Sequence, residues 1–132
     1  MNKTSNKCRD LSSHQNRVAL AKMVLKLFEL WSLEPEEQLK LLGYKRASKY
    51  SFSRLQNGAP IPSSEETLKR IGKLLSIHKA LRIIYPHNRD LCYLWVKRRN
   101  RAFGDKTPLE IMLDGSEGLD LVCRYLQYLL LR

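Results

Sequence analysis

The residues best suited to recognition chemistry lie between positions 45 and 54, where basic side chains and serines recur at helical spacing. On a helix over residues 45–56, Ala47, Phe52 and Leu55 can form an apolar inner face, which leaves a donor-rich outer face. This outer face comprises Lys45, Arg46, Ser48, Lys49, Ser53 and Arg54. Arg can pair bidentately with guanine, and Lys and Ser suit phosphate oxygens, so the face predicts contact with DNA. The alternative is a solvated basic face on an ordinary bundle helix.

Catalytic chemistry has no comparable signature in the sequence. There is no Gly-rich phosphate loop, nucleophile elbow, H-E-x-x-H motif or defensible pair of carboxylates. His14, His78 and His87 are isolated, and the three cysteines lack C-x-x-C spacing. We therefore predict that the chain is not an enzyme and that it holds no metal and no cofactor. Cys92 and Cys123 lie among apolar residues, which favours core thiols in a reducing cytoplasm.

The charge balance favours an anionic partner. Lys and Arg number 24 against 13 Asp and Glu, which gives 132 residues a net charge of +11. The excess is spread over both halves of the chain, so nucleic acid is the leading candidate and an acidic protein is the alternative. The first 17 residues lack the apolar run of a signal peptide. Residues 18–33 are apolar but contain Lys22, Lys26 and Glu29, so we expect a cytoplasmic protein with no membrane span.

The first half of the sequence predicts three helices. Ser12 or Ser13 can cap a first helix, whose apolar residues recur every three or four positions. Pro35 suits the first turn of a second helix, and Gly43 can end it before the basic helix over 45–56. Two short helices joined through a Gly turn are typical of a helix-turn-helix. We predict an N-terminal helix-turn-helix domain over residues 1–62.

The middle of the sequence predicts two more helices. Ser63-x-x-Glu66 has the spacing of a capping box, and it should open a helix over 64–85. A helix over 88–98 is expected to turn Leu91, Leu94 and Trp95 inward. The basic cluster at 97–101 follows, either as a contact for phosphates or an acidic partner, or as a solvated helix end.

Residues 100–132 predict a turn and two helices. Gly104 and Asp105 make the turn, and Thr107 is a suitable N-cap for a helix that begins at Pro108. Gly115 can end that helix in a left-handed conformation, and Ser116 opens a final helix to residue 132. Its last turn is almost wholly apolar, which predicts burial against the domain's own core or a partner chain. We predict an all-α fold, with a second domain over 63–132.

Three segments resemble the Xre/MbcA/ParS-like family of antitoxins. They are LKRIGKLLSIHKALRIIYP at 68–86, LWVKRRNRAFGDKTPLEIMLDG at 94–115 and GLDLVCRYL at 118–126. The second segment is similar to the family pattern W-x-x-x-x-N-x-x-F-G-x-x-T-P-L-E, although Arg99 stands where Pro is common and Asp105 where Gly is common. Residues 36–58 resemble the family's helix-turn-helix more loosely.

The resemblance implies an all-α antitoxin that forms a homodimer. It implies a RES-type, NAD-degrading toxin as the partner of the C-terminal domain and the operon's own promoter DNA as the partner of the helix-turn-helix. The candidate toxin contacts are Asn100, Arg101, Phe103, Lys106, Glu110, Tyr125, Tyr128 and Arg132. Two alternatives stay open, namely a stand-alone transcriptional regulator and an interaction module that no longer binds DNA.

Overall fold

The computed structural model describes residues 13–45 and 48–132, and within these ranges the chain is all-helical. This confirms the predicted all-α class. Seven α-helices follow one another, with two short 3₁₀ turns at Trp95–Lys97 and Arg101–Phe103. The helices are α1 His14–Leu30, α2 Pro35–Leu41, α3 Lys49–Gln56, α4 Glu65–Ile84, α5 Arg89–Leu94, α6 Pro108–Leu113 and α7 Ser116–Leu131.

Helices α1 and α2 begin where side chains satisfy their first N–H groups. Ser13 is the N-cap of α1, and its hydroxyl accepts a hydrogen bond from the Asn16 N–H at 3.2 Å. Glu34 caps α2, and the Glu37 carboxylate returns to the Glu34 N–H at 2.9 Å. The sequence therefore located both helix starts, because the N-cap side chains and Pro35 specify them locally.

Helix α3 is shorter than the predicted helix over 45–56. Gly43, at φ +91°, takes the chain out of α2, and Ser48 caps α3 by accepting from the Ser51 N–H at 3.1 Å. The helix therefore begins at Lys49, and Lys45 lies before it, outside the helical face to which it was assigned. Arg46 and Ala47 lie outside the described residues.

The start of α4 also differs from the prediction by one residue. Ser64, not Ser63, is the N-cap, and its hydroxyl accepts from the Thr67 N–H at 3.1 Å. The Ser63-x-x-Glu66 spacing was misleading because adjacent serines offer two registers, and the helix uses the one in which Thr67 is buried.

The predicted helix over 88–98 is divided in two. It is α-helical over Arg89–Leu94 and then tightens into the 3₁₀ turn Trp95–Lys97. The tighter turn places Trp95 and Val96 in the core, whereas Leu94 is 54% exposed, so its inward assignment was wrong.

Helices α4, α6 and α7 form the closest packing in the molecule, with α7 against both of the others. Gly118 on α7 makes this approach possible, since a Cβ at this position would lie 1.8 Å from the carbonyl oxygen of Ile111 on α6. Gly115, between α6 and α7, has φ +129° and ψ −164°, which is a glycine conformation but not the predicted left-handed helical one. Asp114 ends α6 and Gly115 is instead the N-cap of α7.

The buried side chains form one continuous cluster that extends on both sides of residue 62. It runs from Ala21 on α1 to Leu126 on α7. Helix α1 packs against α4, and α2 packs against α6. Leu119, Val122 and Leu126 are at most 1% exposed, as expected for the residues that hold α7 in place.

Candidate functional site

The segment between α5 and α6 is a loop that is closed around Asn100. The Asn100 N–H donates to the Lys106 carbonyl oxygen at 3.0 Å, and its own carbonyl oxygen accepts from the N–H groups of Phe103 and Asp105. Its side-chain Oδ1 accepts from the Ala102 N–H at 2.9 Å. Gly104 and Asp105 both adopt positive φ, at 66° and 65°, which confirms the predicted turn. Asn100 therefore shapes the loop, whatever else it contacts.

An aromatic cluster fixes this loop to α7. The Phe103 ring meets the Tyr125 ring edge-on at a centroid distance of 5.1 Å and the Trp95 ring at 6.3 Å. Trp95 and Tyr125 stack at 6.4 Å with an interplanar angle of 12°. Phe103 is only 7% exposed. Such ring pairs contribute about 0.5–1.5 kcal/mol beyond area burial, so they hold the loop rigidly on the final helix.

The Glu110 side chain forms part of the N-terminal cap of α6. The Thr107 hydroxyl accepts from the Glu110 N–H at 3.1 Å, and the Glu110 carboxylate accepts from the Thr107 N–H at 3.0 Å. These hydrogen bonds with Thr107 are the main reason that the pKa of Glu110 lies below its usual value, with Lys106 and Arg99 lowering it further. The predicted Thr107 cap and Pro108 start are confirmed.

The loop displays cations around this scaffold. Arg101 and Lys106 are exposed, as are Arg98 and Arg99. Lys97 differs from them, because its ammonium group donates to the Ser32 carbonyl oxygen at the end of α1. The basic cluster at 97–101 is therefore divided between a link within the fold and a displayed cationic surface.

The last turn of α7 lies partly on the core and partly in solvent. Leu129 and Leu130 pack against the core, whereas Tyr128 is 60% exposed and Leu131 87% exposed. The Arg132 guanidinium lies 6.0 Å from the Tyr128 ring centroid. The final turn thus supports both predicted uses, since one side is buried and the other is available.

The α3 surface is the second place where the structure brings predicted recognition residues together. Leu55 is buried and Phe52 half-buried, as predicted for the inner face of α3, whereas the third predicted residue, Ala47, lies outside the described residues. Lys49, Ser53 and Arg54 are exposed. Ser48 differs, because its hydroxyl caps the helix.

Sequence reasoning missed an exposed tyrosine on this helix. Tyr50 is 72% exposed, and the Arg54 guanidinium lies 5.8 Å from its ring centroid. The i, i+4 spacing of an aromatic residue and an arginine was the available signal.

Residues 13–45 and 48–132 form neither a metal-binding cluster nor a membrane-spanning helix. In these ranges no three His, Cys, Asp or Glu side chains are grouped so that they could hold a metal ion. Among the same residues, no helix has the length and apolar character that crossing a membrane requires. The arrangement provides surfaces for binding: a rigid cationic loop with an aromatic support, and a short basic helix.

Comparison with known proteins gives this arrangement a class. A family model described as the antitoxin Xre/MbcA/ParS C-terminal toxin-binding domain matches residues 80–129. The match begins inside α4 and includes the Asn100 loop, the aromatic cluster and nearly all of α7. A helical chain with this domain is an antitoxin of the type II class.

A relative extends the likeness beyond the matched domain. The uncharacterised protein y4oB of Sinorhizobium fredii (strain NBRC 101917 / NGR234) is 32% identical over 90 residues, which cover 68% of this chain and 67% of that protein. The chain belongs to the Xre/MbcA/ParS family of antitoxins.

Proposed function

We propose that this antitoxin binds and neutralises a RES-type, NAD-degrading toxin and represses its own operon by binding promoter DNA. In this proposal it acts as a cytoplasmic homodimer and by binding alone, without catalysis. The observation that carries the proposal is the toxin-binding family match over residues 80–129, which coincides with the rigid Asn100 loop and its displayed cations.

The proposed toxin-binding surface has a scaffold and a set of contacts. Asn100, Phe103, Glu110 and Tyr125 shape the surface through the hydrogen bonds and ring contacts described above. The side chains available to the toxin are Arg101, Lys106, Tyr128 and Arg132. Arg and Tyr are frequent anchors of protein interfaces, because they combine large contact area with hydrogen bonding.

Co-purification with the product of the neighbouring gene tests the toxin partner. We expect a stable complex, whose mass gives the stoichiometry, and relief of toxicity when both proteins are expressed. A neighbour that neither binds nor is toxic would contradict the proposal and would favour a stand-alone regulator.

A shortened chain tests the contribution of the last turn. Removal of residues 131–132 deletes the exposed Leu131 and Arg132 and spares Leu129 and Leu130, which pack against the core, so the core should remain intact. We expect weaker neutralisation with little change in melting temperature. Unchanged protection would show that the toxin does not use this turn.

The DNA-binding half of the proposal rests on the α3 surface. Lys49 and Arg54 point away from the core, with Ser53 between them, and α3 has no acidic residue in its first turn. Arg46 and Lys45 precede the helix and add to the positive charge. The surface can therefore place several donors against phosphates while Leu55 and Phe52 anchor the helix.

Charge reversal at Lys49 and Arg54 tests this surface. We expect the Lys49→Glu, Arg54→Glu variant to bind promoter DNA at least several-fold more weakly. Its log–log salt slope should flatten by about one for each lost phosphate contact. The matched control is Lys22→Glu, Lys26→Glu, which makes the same charge change on exposed positions of α1. If both variants lost DNA affinity equally, the effect would come from net charge and not from the α3 surface. If neither variant lost affinity, the DNA-binding site would lie elsewhere.

A further inference from the structure

A pocket of about 330 Å³ lies where α4 ends and α5 begins, away from the Asn100 loop and the last turn of α7. It is lined by Arg82, Tyr85, Pro86, Arg89 and Tyr93. The volume suits one or two side chains of a partner rather than an extended ligand. None of these five residues belongs to the surfaces proposed above.

The positive charge of this pocket is not neutralised within the described part of the chain. The ion pairs among residues 13–45 and 48–132 join Lys69 to Glu65, Arg70 to Glu66 and Lys73 to Asp120. Arg82 and Arg89 take part in none of them. Two guanidinium groups in one small pocket, without a carboxylate, form a site that favours an oxyanion.

Ring contacts hold one of the two arginines in position. The Arg89 guanidinium lies 5.8 Å from the Tyr93 ring centroid, and Tyr93 stacks on His78 at 5.8 Å with an interplanar angle of 16°. Burial, and then the charge of Arg82, lower the pKa of His78, which favours its neutral form beside the two arginines. Preorganised guanidinium groups lose less conformational entropy on binding than free ones.

Two observations favour a protein carboxylate over a DNA phosphate as the oxyanion. All five lining residues lie within residues 80–129, which match the toxin-binding domain. Arg82 lies near the C-terminal end of α4, whereas α3 precedes the N-terminal end of α4. Along the axis of α4, the pocket is therefore about 25 Å from the N-terminal end. The pocket is therefore a separate site from the DNA-binding surface proposed at α3.

We propose that the Arg82–Arg89 pocket receives an aspartate or glutamate side chain from an acidic segment of the bound toxin. This inference rests on the proposed toxin-binding function and adds the chemistry of the partner. A carboxylate in the pocket pairs with the guanidinium fork of one arginine and accepts a further hydrogen bond from the other. The contact is charge-assisted and both arginines are exposed in the free chain, so their loss should lower the association rate and its salt dependence as well as the affinity.

The test compares two variants of equal charge in the full chain. In Arg82→Gln, Arg89→Gln the pocket loses both cations, whereas Lys22→Gln, Lys26→Gln removes two exposed cations of α1, outside the proposed toxin-binding surface. For the neighbouring gene product, we expect at least a tenfold rise in Kd for the pocket variant and less than a threefold rise for the control. Arg89→Lys keeps the charge but not the fork, and it should raise Kd several-fold. Equal Kd values for the wild type and the pocket variant would overturn the inference, while the toxin partner would stand.

If the neighbouring gene product does not bind at all, that result counts against the proposed function and not against the pocket. A second measurement then tests the pocket directly. The probes are a hexaglutamate peptide, inorganic phosphate and a 20-base-pair DNA duplex, added to the wild type and to the pocket variant. We expect the peptide to shift the NMR signals of Tyr93 and Arg89 in the wild type only. The inference fails if the peptide causes no shift, or if phosphate or DNA shifts these signals and the peptide does not. Circular dichroism checks that each variant is folded. If the double variant is unfolded, Arg89→Lys takes its place.

Discussion

The Asn100 loop and the α3 surface are both cationic, but they use their predicted residues in opposite ways. On α3, Lys49, Ser53 and Arg54 are displayed, whereas the Ser48 hydroxyl caps the start of the helix. In the C-terminal region, half of the candidate contacts hold the scaffold. These are Asn100, Phe103, Glu110 and Tyr125.

The difference shows what a sequence motif encodes in each region. The pattern W-x-x-x-x-N-x-x-F-G-x-x-T-P-L-E describes the groups that build a rigid loop, and the side chains between its fixed positions face outward except for the buried Val96. A basic amphipathic helix has no such internal frame, so its polar outer face is the only signal that the sequence carries. Substitutions at the fixed positions of the C-terminal pattern should therefore act on stability, and substitutions of the exposed α3 residues should act on affinity.

The largest effect is expected at Gly118, where α7 meets α6. In Gly118→Ala the new Cβ would lie 1.8 Å from the Ile111 carbonyl oxygen, which is backbone and cannot move aside like a flexible side chain. We expect the free energy of unfolding to fall by more than about 3 kcal/mol, by separation of the two helices. Chemical denaturation measures this loss.

Gly72 on α4 provides the matched control for Gly118. A Cβ at this helical glycine would meet no atom within 4 Å. Gly72→Ala should stabilise the protein by about 0.5–1 kcal/mol, because alanine loses less backbone entropy on folding. If both alanine variants were equally stable, the close packing of α6 on α7 would be wrong.

The next largest effect on stability distinguishes a buried ring from an exposed ring in the C-terminal region. Phe103→Ala removes the ring between Trp95 and Tyr125, and it should cost about 3 kcal/mol of stability. Tyr128→Ala removes a ring that is 60% exposed, and it should change stability by less than about 0.5 kcal/mol. Thermal melting of the two variants checks the contrast, and similar melting temperatures would contradict it.

A smaller effect is expected when the Asn100 side chain is removed. Asn100→Ala loses the Oδ1 bond to the Ala102 N–H but keeps the three backbone bonds, so the loss should be about 1 kcal/mol. Arg101→Ala next to it should have almost no effect on stability. Hydrogen exchange of the Ala102 amide gives a local readout, and unchanged protection would show that the side chain does not hold the loop.

The smallest effect is a loss of stability at low pH, which arises from two carboxyl groups in the C-terminal region. The bonds of Glu110 with Thr107, and the hydrogen bond from Lys73 to Asp120, lower the pKa of each carboxyl group in the folded state. A lowered folded pKa gives stability that is present above the unfolded pKa, about 4, and is lost as pH falls through the folded value. The melting temperature should therefore decline below pH 4, less steeply in Glu110→Gln, Asp120→Asn. Identical declines would assign the effect to other groups.

Local rules gave most of the helix starts, and tertiary packing decided the errors. Ser13 and Thr107 act through neighbours three residues away, and Pro35 acts through its own ring at the first helical position, so the sequence alone was sufficient. Leu94 is exposed because the backbone turns Trp95 towards the core, where its ring contacts Phe103 and Tyr125. These contacts join different elements of the fold, so the spacing of residues 88–98 does not reveal them.

The binding surfaces were only partly predictable for a similar reason. Exposure of Lys49 and Arg54 follows from helical periodicity, which a sequence displays. The Arg82–Arg89 pocket needs α4 and α5 to meet across Pro86, and neither helix carries a distinctive motif there.

The continuous core from Ala21 to Leu126 has a consequence for the lifetime of the protein in a cell. Because the α3 surface and the Asn100 loop share this core, we expect both to be lost in one unfolding event. A protease that attacks unfolded chains would then remove the proposed DNA-binding surface and the toxin-binding surface together. A bound toxin at a hundredfold excess over its Kd would protect the whole chain by about 2.7 kcal/mol, so free antitoxin would be degraded first.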